Sequence, residues 1–266
     1  MKFKQEILSF IVALQYFTII PIRNHIKIDP EYNSIVYFPL IGIIIGILDL
    51  LCFKFLFVLI DNIELSIISL MIFHTFLTGG LHEDGLSDFF DGFGGGYTKQ
   101  KVLEIMKDPH IGNFGVLSIT YSIILKFIML NYIYNKYNHF EFFIVVYLLA
   151  QYYSRWIILY FVKFLPYARI EGKSKVFEKI SYYRFWFFQV FYFLLLLFFL
   201  YYYSEFIIFI LYIFLIIISI YYIFKIILMS KINGYTGDTL GAIQQITELL
   251  FYFFTIIFYN NFDHLL

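Results

Sequence analysis

Residues 206–229 read FIIFILYIFLIIISIYYIFKIILM, twenty-four positions with one charge, Lys225. A membrane-spanning helix needs ~20 mostly apolar residues, and this run supplies them. Six more segments have the same character, at about 35–60, 64–81, 115–134, 140–162, 185–203 and 240–259. Composition agrees with the runs. The chain is 61% hydrophobic and 24% aromatic, whereas a soluble domain of this length has roughly 45–50% apolar residues. The expected fold is all-α, a polytopic transmembrane bundle of about seven spans in a single integral membrane domain, 1–266.

Residues 1–22 place Lys2 and Lys4 before an apolar stretch, but no small-residue cleavage site follows. Ser9, Gln15 and Thr18 interrupt that stretch and Pro21 ends it. An interfacial or re-entrant helix is expected there. Nineteen basic and nineteen acidic side chains cancel, so net charge draws the chain to no nucleic acid. The single cysteine, Cys52, excludes a disulfide within the chain and a cysteine-rich metal site.

Loop charges set the orientation. Arg23, Lys27, Lys99, Lys101, Lys107, Lys163, Arg169, Lys173, Lys175, Lys179, Arg184 and Lys231 all fall on one side of the expected topology. Only Lys136 falls in a loop on the other. The basic side is therefore cytoplasmic, in a bacterial cytoplasmic (inner) membrane, and membrane lipid is the surrounding partner. A second copy of the chain is a candidate partner.

The cytoplasmic loop 82–114 carries the chemistry. It opens Gly79-Gly80-Leu81-His82-Glu83-Asp84-Gly85-Leu86-Ser87-Asp88-Phe89-Phe90-Asp91-Gly92-Phe93-Gly94-Gly95-Gly96. On a helix, Asp84, Asp88 and Asp91 share an arc of roughly 60°, and Glu83 points about 100° away. Like charges so stacked repel, and the run contains no lysine. A hard divalent cation relieves them, and Mg²⁺ with retained waters suits a phosphate substrate. The expected metal ligands are Asp84, Asp88 and Asp91, with Glu83 and Asp108 completing or orienting the site. Gly94, Gly95 and Gly96 offer backbone N–H groups to oxyanions, and Lys99, Lys101 and Lys107 supply positive charge. Such a set describes phosphoryl transfer. A solvated connector with an acidic helix start is the plainer alternative.

A second polar island, residues 233–242, opens the last segment on the same side, and Gln244, Gln245, Thr247 and Glu248 intrude into the segment. Thr236, Asp238 and Gln245 are expected to share a cavity with the acidic helix. Asp238 would be a metal-side or general-base partner and Thr236 a phosphate or ribose contact. A helix cap by Thr236 or Asp238, with the glutamines as helix–helix glue, is the alternative. His74, Lys126 and Arg155 lie inside expected spans, where ionisable groups are functional candidates. A partner for Arg155 would be Glu141 or Glu248.

At these residues the sequence resembles the cobalamin synthase family, also called adenosylcobinamide-GDP ribazoletransferase. The 79–96 run resembles its central signature. Ile105-Met106-Lys107-Asp108 with Ile111-Gly112 and Gly115 resembles the next block. Gly234-Tyr235-Thr236-Gly237-Asp238 with Leu240-Gly241-Ala242, Gln245 and Thr247-Glu248-Leu249 resembles the last. Three glycine-anchored blocks stand in family order over nearly the whole chain. Phe89 and Phe90 replace usual small residues, and His110 and Asn113 stand where arginine and threonine are expected.

The resemblance implies that the 5′ oxygen of α-ribazole, or of its 5′-phosphate, attacks the phosphorus next to the cobinamide of adenosylcobinamide-GDP and releases GMP. It carries Asp84, Asp88, Asp91, Asp108 and Asp238 as catalytic residues. Gly94, Gly95, Gly96, Lys107, His110, Asn113, Thr236 and Gln245 follow as substrate contacts, and Mg²⁺ as cofactor. Two other readings compete. Asp88-Phe89-Phe90-Asp91-Gly92 is similar to the D-x-x-D-G core of CDP-alcohol phosphotransferases, which continue with an alanine-arginine pair absent here. A cation-coupled transporter would place its acids at the bilayer midplane.

Overall fold

A computed structural model describes residues 2–21, 34–137, 140–172, 174–175, 177, 180–202 and 206–262. Among these are ten α-helices and no strand. Arg23, Lys27, Lys173 and Lys179 lie outside the described residues. The helices are α1 (Lys2–Phe17), α2 (Phe38–Ile60), α3 (Ile63–Thr78), α4 (Leu81–Gly95), α5 (Lys99–Ile105), α6 (Asn113–Tyr137), α7 (Phe140–Phe164), α8 (Tyr182–Tyr202), α9 (Ile207–Ile232) and α10 (Gly237–Phe262).

A helical membrane bundle is what forms, with a difference in how its spans are built. Among the described residues five helices are long and apolar enough to cross a membrane: α2, α6, α7, α9 and α10. The expected 64–81 span is broken. The sixteen residues of α3 reach about 24 Å at 1.5 Å each, short of a ~30 Å hydrocarbon layer. The chain then bends by 86° into α4. Gly79 and Gly80 make the bend, with φ of +65° and +67°, a region an L side chain adopts only with strain. The acidic helix therefore turns sharply off the axis of α3. The apolar part of α8, Tyr182–Phe198, is also short.

Polar residues decide which helices lie inside. Gln151, Ser154 and Arg155 on α7, and Gln244, Gln245, Thr247 and Glu248 on α10, are all buried. In lipid such groups are costly, so these faces turn toward each other. Glu248 accepts hydrogen bonds from Gln151 (2.9 Å), Gln244 (3.0 Å) and Tyr252 (3.2 Å). Lys126 on α6 pairs with it at 3.2 Å. The expected direct partner of Arg155 is thereby corrected. Its guanidinium donates to Gln151 Oε1 at 2.6 Å and reaches Glu248 only through that amide. On α2, Asp49 accepts from Tyr147 and lies 2.7 Å from the His74 ring.

The described parts of the long connections meet at one end of the bundle. Residues 166–168 pair with Tyr235 through Ala168 N–H to Tyr235 O (2.8 Å) and Tyr235 N–H to Pro166 O (3.0 Å). The short helix α1 packs at that end, its Tyr16 hydroxyl 2.8 Å from Ser174 and its Phe17 ring against His82. At the opposite end Tyr132 bonds Asn260 across α6 and α10.

Two outcomes follow from this arrangement. In a Cys52→Ser background, cysteines at Lys99 and Lys231 should react with an impermeant thiol reagent from one face of sealed vesicles. A cysteine at Lys136 should react only from the other, and same-side labelling of Lys99 and Lys136 is incompatible with this fold. Separately, Glu248→Leu leaves Lys126 buried without its anion, a loss of roughly 3–5 kcal/mol. Thermal unfolding in detergent should show a clearly lower midpoint.

Candidate active site

The acidic helix is held by its underside. At Gly85 an added Cβ would stand 2.7 Å from the Asp238 carbonyl oxygen and 3.2 Å from Gly241 Cα, so α4 and the start of α10 touch backbone to backbone. That contact brings Asp84 and Asp88 to Asp238. Asp84 is exposed and Asp88 half-buried. Burial pushes the Asp88 carboxyl up to about 7, with the charges of Asp238 and Asp84 adding to the effect.

Asp91 has a different job. Its two oxygens accept the backbone N–H groups of Gly112 (2.7 Å) and Gly115 (2.8 Å), so it caps α6 from a distance of more than twenty residues. A Cβ on Gly112 or Gly115 would meet that carboxylate at 2.4 or 2.3 Å, which accounts for both glycines. Glu83 turns the other way, as its position on the helix requires, and accepts from Gln245 at 3.1 Å. Asp108 accepts both the backbone N–H (2.9 Å) and ring nitrogen (2.7 Å) of His110. The backbone bond and then the ring bond hold its carboxyl below the ordinary range.

The cation that faces the acids comes from a loop far along the chain. Arg169 donates to Asp238 Oδ2 at 2.8 Å and to the Met106 carbonyl at 3.3 Å. It ties the connection between α7 and α8 to the heads of α10 and the 106–112 segment. Sequence reasoning counts Arg169 only as one of several topogenic charges, and nothing in the spacing distinguishes it from its basic neighbours. Thr236 is a cap: buried, with its hydroxyl accepting the Thr239 N–H at 3.2 Å. Asp238 instead points across to Arg169.

Two cavities meet at Asp84. One, of about 290 Å³, is lined by Asp84, Arg169, Asp238, Ser174 and Tyr16. The other, of about 240 Å³, is lined by Asp84, Asp88, Lys107, Asp108 and His110. The remaining predicted contacts are not brought there. Gly94, Gly95, Gly96 and Asn113 line neither cavity. The Gly96 N–H is already given to Gly92 O at 2.9 Å, and Gly94 faces the Phe114 ring. Gln245 lies on the Glu83 side of α4. Among the described residues no three His, Cys, Asp or Glu side chains converge in metal-holding geometry. Asp84, Asp88 and Asp238 nevertheless form a surplus of negative charge around one guanidinium.

Fold and site together define the class: a multi-pass helical membrane protein whose polar cleft, rich in carboxylates, opens at one end of the bundle. Residues 9–256 match the family described as cobalamin-5-phosphate synthase, and the chain belongs to that family. It is similar to proteins named adenosylcobinamide-GDP ribazoletransferase. That of Leptospira interrogans is 37% identical over 85% of each chain. The Leptospira biflexa protein is 34% identical over 91% of this chain and 93% of its own. The Vibrio parahaemolyticus protein is 31% identical over 98% and 96%. No solved structure matches. The chain is an enzyme, a transferase of cobalamin biosynthesis.

The Asp88 shift has a measurable consequence. Between the ordinary 3.8 and about 7 the folded state keeps a proton that the unfolded chain has released. This contribution to stability is present at low pH and lost as pH rises through 7. In chelator-treated protein, Asp88→Asn should flatten the decline of the unfolding midpoint between about pH 4 and 7. An identical pH profile for both proteins would assign the decline to other groups.

Proposed function

We propose that the chain joins adenosylcobinamide-GDP to α-ribazole, or to its 5′-phosphate, with release of GMP, in a bacterial cytoplasmic membrane and with Mg²⁺ as cofactor. The acceptor oxygen forms a bond to the phosphorus next to the cobinamide. The bond from that phosphorus to the GMP oxygen breaks, and the acceptor proton passes to a carboxylate of the cluster. The observation that carries this reading is that Asp84 lines two cavities at once, as a transfer between two bound reactants requires. The cavity with Arg169 suits the diphosphate of the donor, since a guanidinium matches phosphate oxygens in a fixed fork. The cavity with Lys107 and His110 suits the reacting end of the acceptor.

The residues fit the metal. Mg²⁺ keeps several waters and takes one or two carboxylates plus substrate phosphates, so Asp84 and Asp88 suffice and Asp91 is free to anchor α6. Burial is the main reason that the Asp88 carboxyl is pushed up, and the charges of Asp238 and Asp84 add a second part that a divalent cation would relieve. Bound there, Mg²⁺ would offset charge on the phosphate oxygens and the departing GMP. Arg169 would exchange part of its contact with Asp238 for substrate. Lys107 and His110 stand on the open side, His110 in place of a guanidinium and without its bidentate fork.

The purified protein in lipid nanodiscs should release GMP from adenosylcobinamide-GDP only when α-ribazole (or its phosphate) and Mg²⁺ are both present. Asp84→Asn should slow this by about a hundredfold or more, the usual loss when a preorganised charge is removed. Arg169→Lys should chiefly raise the KM for the nucleotide donor. Wild-type turnover in Asp84→Asn, or GMP release that ignores the acceptor, contradicts the reading.

A further inference from the structure

A third cavity, of about 290 Å³, lies on the other side of α4, between α3 and α6. Its walls are apolar, from Leu70, Met71 and Ile72 on α3 and Ile123 on α6. Its mouth is on the flank where Ile72, Phe76 and Ile123 are exposed, an apolar surface of the kind a membrane helix presents to lipid. Its inner end is polar. Lys126 Nζ donates to Gln245 Oε1 there at 3.2 Å. His74 Nε2 and Glu83 Oε2 are buried with no hydrogen-bond partner among the described residues, and both side chains line the cavity. Buried polar atoms are rarely left so, and two in one apolar slot indicate a ligand with hydrogen-bonding atoms on its edge.

The cavity is in line with the site. Ile119 of α6 lines the cavity of Asp84, Asp88 and Lys107, whereas Ser122, Ile123 and Lys126 line the deeper one. Positions 119, 122, 123 and 126 fall on one helical face, and the seven residue steps from 119 to 126 rise about 10 Å. On α4, Ser87 faces the first cavity and Glu83, one turn back, the second. The two cavities thus lie next to each other along the same stretch of α4 and α6.

We propose that this slot is the acceptor's recognition subsite: it holds a planar aromatic nitrogen heterocycle, read at its edge by Glu83, Lys126, Gln245 and His74. The sugar would then lie along α6, with its 5′ end at Asp84. The inference rests on the transfer reaction proposed above. It separates the reactants by route, with the charged nucleotide donor entering from water beside Arg169 and the apolar ring from the lipid flank.

Bulk placed at the mouth tests it without touching the buried charges. Ile123→Trp on α6 and Thr75→Trp on α3 narrow the slot from opposite walls, so misfolding of one still leaves the other. In nanodiscs each should raise the KM for α-ribazole by about tenfold or more, the scale of a lost methylene-sized fit. The KM for adenosylcobinamide-GDP should stay within about twofold. An unchanged acceptor KM in the folded variants, or a parallel rise for both substrates, overturns the subsite. If the wild-type protein releases no GMP, the transfer reading fails, and calorimetric titration with α-ribazole decides the subsite alone. Binding by wild type that weakens about tenfold in Ile123→Trp supports it, whereas equal binding, or none, sinks it.

Discussion

Gly85 of α4 lies against the backbone of Asp238 and Gly241, close enough that a Cβ would stand 2.7 Å from a carbonyl oxygen. Most of the site depends on this approach. A side chain at either glycine would hold α4 away from α10, and close backbone packing of this kind is how helices associate where lipid offers no hydrophobic drive. The consequence is electrostatic. The contact carries Asp84 and Asp88 to Asp238 and costs repulsion, part of which Arg169 offsets at 2.8 Å. The rest of that repulsion is what the proposed Mg²⁺ would relieve.

The buried charges one turn deeper have the opposite character. Glu248 is almost fully satisfied, by Lys126, Gln151, Gln244 and Tyr252. A buried ion so surrounded adds little net stability but strongly penalises misplacement of any partner. It fixes the register of α6, α7 and α10, and through Lys126 and Gln245 it fixes the side of α4 that carries Glu83. Adjacent residues on one helix thus belong to different environments, Glu83 to the interior network and Asp84 to the exposed end.

Apolar run length made the spans legible, because lipid imposes it on any helix regardless of neighbours. Loop charge made the shared end legible for the same reason, and Asp238 was placed beside the acidic helix by topology alone. Three features were not legible. The turn at Gly79-Gly80 falls near the end of the expected 64–81 segment, and its 86° angle has no counterpart in hydropathy. The anchoring role of Asp91 depends on two backbone N–H groups, and every residue but proline has one. Arg169 arrives on an irregular connection without periodicity, where only the pairing of residues 166–168 with Tyr235 gives it a direction.

The division of labour among the aspartates follows from the same geometry. Asp91 is spent on α6, and that places Gly112, and with it Lys107, Asp108 and His110, opposite Asp84 and Asp88. Asp238 is held by Arg169. Among the described residues Asp84 and Asp88 have neither a salt bridge nor a backbone anchor of this kind, and Asp88 is the one whose carboxyl is pushed up to about 7. The acidic run is thus a single helix face in which each turn has a different task. Its last acid builds the wall of a cavity whose floor is the first two. Spacing of i, i+4, i+7 guarantees that the three share a face. Their separate roles are set by what the bundle brings to each: backbone N–H groups at Asp91, and at Asp84 and Asp88 an open cleft with surplus negative charge.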